Sequence, residues 1–143
     1  GKYDLEGVSM YQSKLDKDMR CPIKYWQEIF EGKWKSCIVC VLAEKKTLRY
    51  GMIRDEIGDI TDTVLSTDLK ELLDNGIIER KQYEEMPIRV EYSLTEKGWS
   101  VVPVLHKVCK WAGEYYHDMK KDEEEGSKGK ECQHLVNWNK MIE

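Results

Sequence analysis

No stretch of this chain holds the roughly 20 uninterrupted apolar residues that a membrane span needs, so no membrane-spanning segment is expected. The opening residues, Gly1-Lys2-Tyr3-Asp4-Leu5-Glu6, lack the apolar core of a secretory leader, and a cytoplasmic location follows as the expectation. Histidine is scarce, with only three copies, all late in the chain. No Ser/His/Asp, paired-carboxylate or phosphate-loop constellation is present, which weighs against an enzyme, and nothing specifies a cofactor. Positive charge is not in excess either: 23 Lys and Arg face 27 Asp and Glu, for a net charge of −4. That balance speaks against a nucleic-acid partner, because phosphate binding normally shows as a basic surplus.

What the chain does contain is enough apolar material, 41% of its 143 residues, to bury the core of one domain. Residues 1–20 are polar and weakly patterned and read as an N-terminal arm. From Cys21-Pro22 onward, Ile23, Trp26 and Phe30 recur at helical spacing before Gly32, with the proline suited to a first turn. Trp34, Ile38, Val41 and Leu42 describe a second helix, with Cys37 and Cys40 broadening its buried stripe, ending near Lys45-Lys46. Thr47-Leu48-Arg49 reads as a short strand, and Tyr50, Ile53, Ile57 and Ile60 carry a third helical pattern closed by Gly58-Asp59. Thr61 reads as an N-cap, and behind it Leu65, Leu69, Leu72 and Leu73 run to an Asn75-Gly76 stop. Two β-type runs, 77–83 and 90–94, flank the loop Glu84-Glu85-Met86-Pro87-Ile88-Arg89, and Thr95-Glu96-Lys97-Gly98 opens a long last helix. The expected fold is mainly α with a small β-hairpin, in the order of a winged helix-turn-helix.

The last helix carries two apolar seams. One runs through Val102, Leu105, Cys109, Ala112, Tyr116 and Met119; the other runs through Val101, Val104, Val108, Trp111 and Tyr115. A helix packed on its own domain needs one seam, so the second predicts a partner subunit, with residues 1–20 folding back over it as the alternative. Trp34 and Trp111 are expected to face inward. Residues 120–143 read as a solvated charged tail with a short apolar end, Leu135, Val136, Trp138, Met141 and Ile142, leaving 21–119 as the main domain.

Several blocks carry a family resemblance: Cys21-Pro22, Gly32-Lys33-Trp34, Asp74-Asn75-Gly76-Ile77-Ile78, Arg80, and above all Met86-Pro87-Ile88-Arg89-Val90-Glu91-Tyr92-Ser93-Leu94-Thr95-Glu96-Lys97-Gly98. Over about residues 21–117 the chain resembles the HxlR-type winged helix-turn-helix transcriptional regulators. The resemblance implies a homodimeric protein that binds double-stranded operator DNA and regulates nearby genes, here taken as a repressor. Its reading helix would span Thr61–Asn75 and offer Thr61, Thr63, Ser66, Thr67 and Lys70 to DNA. Asp62, Asp68, Glu71 and Asp74 outnumber Lys70 there, and Asp62 reads either as a partner of the helix dipole or as an acceptor for cytosine.

Phosphate contacts are expected from Lys33, Lys35 and Arg49 and from Arg89 in the wing, because residues 33–54 hold six cations against one acid, Glu44. The global charge thus conceals a local basic stripe.

Five cysteines, at 21, 37, 40, 109 and 132, make an odd count unlike a disulfide framework and are expected to be mostly reduced. Cys21 lies beside Arg20 at a helix start, where thiols react with oxidants and electrophiles, and several members of the resembling family sense such inducers through a cysteine at this place. The alternative is an inert packing residue. Cys109 and Cys132 are candidate partners for a disulfide. Cys37-x-x-Cys40 reads as core packing, and neither it nor His106-x-x-Cys109 nor Cys132-x-His134 is assigned a metal. Two other functional readings stand beside the thiol-switched regulator: an interaction module on the same fold that binds no DNA, and a regulator answering to a small ligand.

Overall fold

The computed structural model describes residues 21–120, and side chains as far as Tyr116. The expected N-terminal arm and the charged tail, with Cys132 and His134, lie outside the described residues.

Helix α1, Ile23–Phe30, starts at Pro22, whose carbonyl accepts from the amides of Tyr25 and Trp26. Trp26 and Phe30, one turn apart, bring their rings to 4.4 Å between centroids. Burial falls on Ile29 and Phe30, while Ile23 is exposed, so the buried edge is rotated from the expected Ile23–Trp26–Phe30 line. Gly32 adopts a φ of +102°, a left-handed value that a side chain would strain.

From Lys33 onward the elements are α2 (Lys35–Lys45), β1 (Thr47–Leu48), α3 (Tyr50–Ile57), α4 (Asp62–Asp74), β2 (Ile78–Tyr83), β3 (Arg89–Leu94) and α5 (Glu96–Lys120). Helix α2 is the hub. It packs on α3, α4, α5, β1 and β3, and its residues Ile38, Val39, Val41 and Leu42 are fully buried. Its burial spreads to Val39 and Ala43 and leaves Cys37 exposed and Cys40 half-buried, which corrects the expectation that both thiols line the core. A helix clasped by several neighbours buries a broad arc, and Cys37 lies outside it.

The three strands form one antiparallel sheet in the order β1-β3-β2, with Leu48 opposite Tyr92 and Ile78 opposite Leu94. This is the expected hairpin plus the short strand at 47–48, closing against its second arm.

The entry to α5 is tied to the exit of α4. Gly76, at φ +72°, reverses the chain, and the Thr95 hydroxyl then donates to the Gly76 carbonyl at 2.6 Å while accepting from the Gly98 amide at 3.0 Å. Lys97 Nζ donates to the Asn75 carbonyl at 2.9 Å. Gly98 is buried, and a Cβ there would collide with the Ile77 carbonyl oxygen. The helix start can seat so closely on the α4–β2 turn because residue 98 has no side chain.

Along α5 the two seams part company. On the first seam Val102 and Leu105 are buried, Cys109 and Ala112 half-buried and Tyr116 exposed, which corrects the expectation that this seam is buried throughout; on the second, Val101 is half-buried and Val104, Val108, Trp111 and Tyr115 are 46–67% exposed. Trp111 therefore does not face inward, and Trp34 is only half-buried. No helix among the described residues is long and apolar enough to cross a membrane.

Candidate nucleic-acid interface

Helices α3 and α4, joined by the turn at Gly58–Thr61, form the helix-turn-helix. Thr61 caps α4 as its sequence position requires, its hydroxyl accepting from the Val64 amide at 3.2 Å. Leu65, Leu69 and Leu72 turn inward and are buried. Thr63, Ser66, Thr67 and Lys70 are all exposed, on the side away from those leucines.

Asp62 and Glu71 lie on opposite flanks of α4 and are paired, while Asp74 shares the exposed outer face with Lys70. Asp62 accepts from Arg54 of α3 through both carboxylate oxygens, at 2.9 and 3.2 Å, and from the Tyr50 hydroxyl at 3.1 Å. The bond from Arg54, then that from Tyr50, holds the Asp62 carboxyl below the usual carboxylate range. Ser66 Oγ lies 3.3 Å from the same Tyr50 hydroxyl. This flank of α4 is thus latched to α3, and the partner of Asp62 is Arg54 rather than the helix dipole alone.

On the opposite flank, Glu71 is ion-paired to Lys35 of α2. Burial raises the carboxyl of Asp68, against the pull of Lys35. Lys70 lies 3.5 Å from Asp74, one turn on. Such pairs discharge much of the acidity that counts against this helix as a reader of DNA.

The same pairs thin the basic stripe. Lys35 is 4% exposed, so the structure revises its expected place on the phosphate-facing surface: it is an internal tie between α2 and α4. Arg54 is engaged by Asp62, and Lys45 lies 3.8 Å from Glu56. Lys33 sits 5.1 Å from the centroid of the Trp34 ring, Lys46 stands 5.7 Å from that of Trp99, and Arg49 is exposed at the cap of α3. These last three ammonium and guanidinium groups remain the outward charge of the stripe.

In the wing, Arg89, expected to meet phosphates, is engaged by neighbours within the wing. Its guanidinium is forked by Glu85, at 3.2 and 2.7 Å, bonded to Glu91 at 2.5 Å, and laid over the Tyr83 ring at 3.7 Å from the centroid. Glu85 foremost raises the Arg89 pKa, and Arg89 lowers that of Glu85. The arginine is half-buried and its charge is met within the wing; Met86 and Ile88 at the tip are exposed instead. Sequence reasoning could count these carboxylates but not place them.

Cys21 is exposed just ahead of α1, and Cys109 of α5 is half-buried.

The profile of a family described as HxlR-like helix-turn-helix matches residues 29–120. An uncharacterised HTH-type transcriptional regulator of Halalkalibacterium halodurans is 39% identical over 104 residues, which cover 73% of this chain and 92% of that protein. Among solved structures, the redox regulator HypR in its oxidised form is 31% identical at a TM-score of 0.62, over 66% of this chain and 96% of HypR. The reduced form of the transcriptional regulator YodB from Bacillus subtilis is 33% identical at 0.60, over 68% of this chain and 95% of YodB.

Proposed function

The chain belongs to the HxlR-like helix-turn-helix family and is a transcriptional regulator of helix-turn-helix type; from that premise we propose that it represses transcription as a homodimer whose α4 helices enter successive major grooves. The observation that carries this reading is the face of α4: Thr63, Thr67 and Lys70 are exposed on a helix whose flanks are tied to α2 and α3. A helix held at both flanks presents its outer side chains in a fixed register, which is what base-edge contacts need. Thr61, Thr63, Ser66, Thr67 and Lys70 then touch DNA, while Lys33 and Arg49 meet phosphates. Arg89 joins them where phosphates displace Glu85.

The exposed seam Val104, Val108, Trp111 and Tyr115 supports α5 as the dimer contact, because a monomer gains nothing by showing water four large apolar side chains at helical spacing. A second copy of the same helix covers it. The two recognition helices are then spaced by that contact.

Cys21 is the proposed inducer site. Its exposure, and the likeness to a redox regulator, support oxidation or alkylation as the signal. With diamide as oxidant, Cys21 and a second cysteine thiol lose two protons and two electrons to form a disulfide, and diamide is reduced to the hydrazine.

A gel shift with the protein's own upstream region tests the whole reading. Reduced protein retards the probe, more weakly as salt rises; diamide releases it, dithiothreitol restores it, and Cys21→Ser no longer responds. Absence of retardation at low salt favours the interaction module that binds no DNA. Retardation with an unchanged diamide response in Cys21→Ser removes the thiol switch alone.

A further inference from the structure

The composition of α4 leaves Lys70 as its one usual reader of purines. From Asp62 to Asp74 the helix has no Arg, Asn, Gln or His, the first three being side chains that grip guanine or adenine by two hydrogen bonds. Its one cation, Lys70, stands beside Asp74. Asp62 and Glu71, which would repel phosphates or accept from cytosine, are held by Arg54 and Lys35 on the flanks. What the N-terminal half of α4 does offer is methyl groups: those of Thr63 and Thr67 on the outer face and, beside them on the flank that Glu71 shares two turns on, the isopropyl of Val64, which is 37% exposed.

Val64 shows part of its side chain to water in the first turn of α4. A β-branched apolar side chain lowers helix propensity and gains nothing from water. Its amide already serves the Thr61 cap, a bond that any residue supplies. In the first turn of a recognition helix, however, an apolar side chain has a matching feature on the base edges. Thymine alone presents a C5-methyl group in the major groove, and apolar groups read it by contact.

We propose that Val64, flanked by the Thr63 and Thr67 methyl groups, is a specificity-determining residue that reads thymine methyl groups in the major groove. The proposal rests on α4 being the helix that enters the groove. It makes the operator half-sites thymine-bearing at the positions under the first turn of α4. Discrimination comes from burying methyl on methyl rather than from bidentate hydrogen bonds.

Replacing thymine by uracil removes only that methyl group, which gives a direct test with the full chain. The upstream region is amplified once with dTTP and once with dUTP, and the two duplexes are titrated against wild type, Val64→Ala and Val64→Thr. Losing one thymine methyl from under Val64 in each half-site is expected to weaken wild-type dimer binding roughly fifteenfold, about fourfold per half-site from the usual worth of one buried methylene. Val64→Ala should bind the thymine duplex less tightly and lose most of the preference over uracil; Val64→Thr should keep part of it. Because uracil also changes duplex stiffness, dependence of the preference on residue 64 separates contact from shape. Equal wild-type affinity for both duplexes, or full preference retained by Val64→Ala, overturns the inference while leaving α4 a DNA reader. Failure of wild type to bind either duplex at low salt overturns both.

Discussion

Asp62 illustrates how a residue's neighbours decide its meaning. In sequence it is an acid in the first turn of a helix expected to meet DNA, and it invites either the helix dipole or a cytosine. In the structure Arg54 and Tyr50 of α3 have taken up its oxygens. An exposed pair of this kind is worth little in stability, so Asp62→Asn is expected to lower Tm by no more than a few degrees at neutral pH. Because the pair depresses the Asp62 pKa in the folded state, its contribution is full above the usual carboxylate range and is lost as pH falls through the lowered value. The Tm difference between wild type and Asp62→Asn should therefore close at acidic pH, by scanning calorimetry at stepped pH. A difference that persists unchanged would mean the charge of Asp62 is not what the latch uses. Lys35 makes the same point from the basic side: in the sequence it belongs to a cationic stripe, but buried against Glu71 it is a tie between helices.

Elements were the most legible level. The leucines of α4, its Thr61 cap and the glycine after it all follow from local rules, and local rules act on neighbours in sequence, which the sequence displays. What neighbours in sequence do not display is how one element seats on another. Gly98 looks like a weak point early in α5, yet the helix starts against the Ile77 carbonyl with no room for a Cβ. Gly98→Ala is expected to destabilise the fold by about 1–3 kcal/mol, the cost of forcing an extra methyl into a packed site. Urea unfolding measures it as a lower midpoint with an unchanged slope. Cys37 and Trp111 failed to follow their expected faces for a related reason. Periodicity identifies a stripe, but the width of the stripe that is buried depends on how many neighbours surround the helix.

For the molecule as a whole, the two seams of α5 separate what the chain does alone from what it is proposed to do with a second copy. The seam through Val102 and Leu105 closes the core, and the seam through Val108 and Trp111 is left exposed. The variant Val108→Asp/Trp111→Asp should keep its fold, since both side chains are exposed, and should sediment as a monomer where wild type sediments as a dimer. Its affinity for the upstream region should fall at least about tenfold, because two linked recognition helices bind far more tightly than one. A double variant that stays dimeric would move the contact elsewhere. The charge of the molecule follows the same division. A net −4 hides a local basic stripe, and the structure then shows several of those cations consumed by acids from outside the stripe. By itself the sequence determined the order of helices and strands, the turn residues, the family and the helix that faces outward, since periodicity, capping and motif are properties of neighbours along the chain. Only the tertiary structure decided which charges are free and which are paired, because ion pairs such as Lys35–Glu71 and Arg54–Asp62 join residues that the chain keeps apart until it folds.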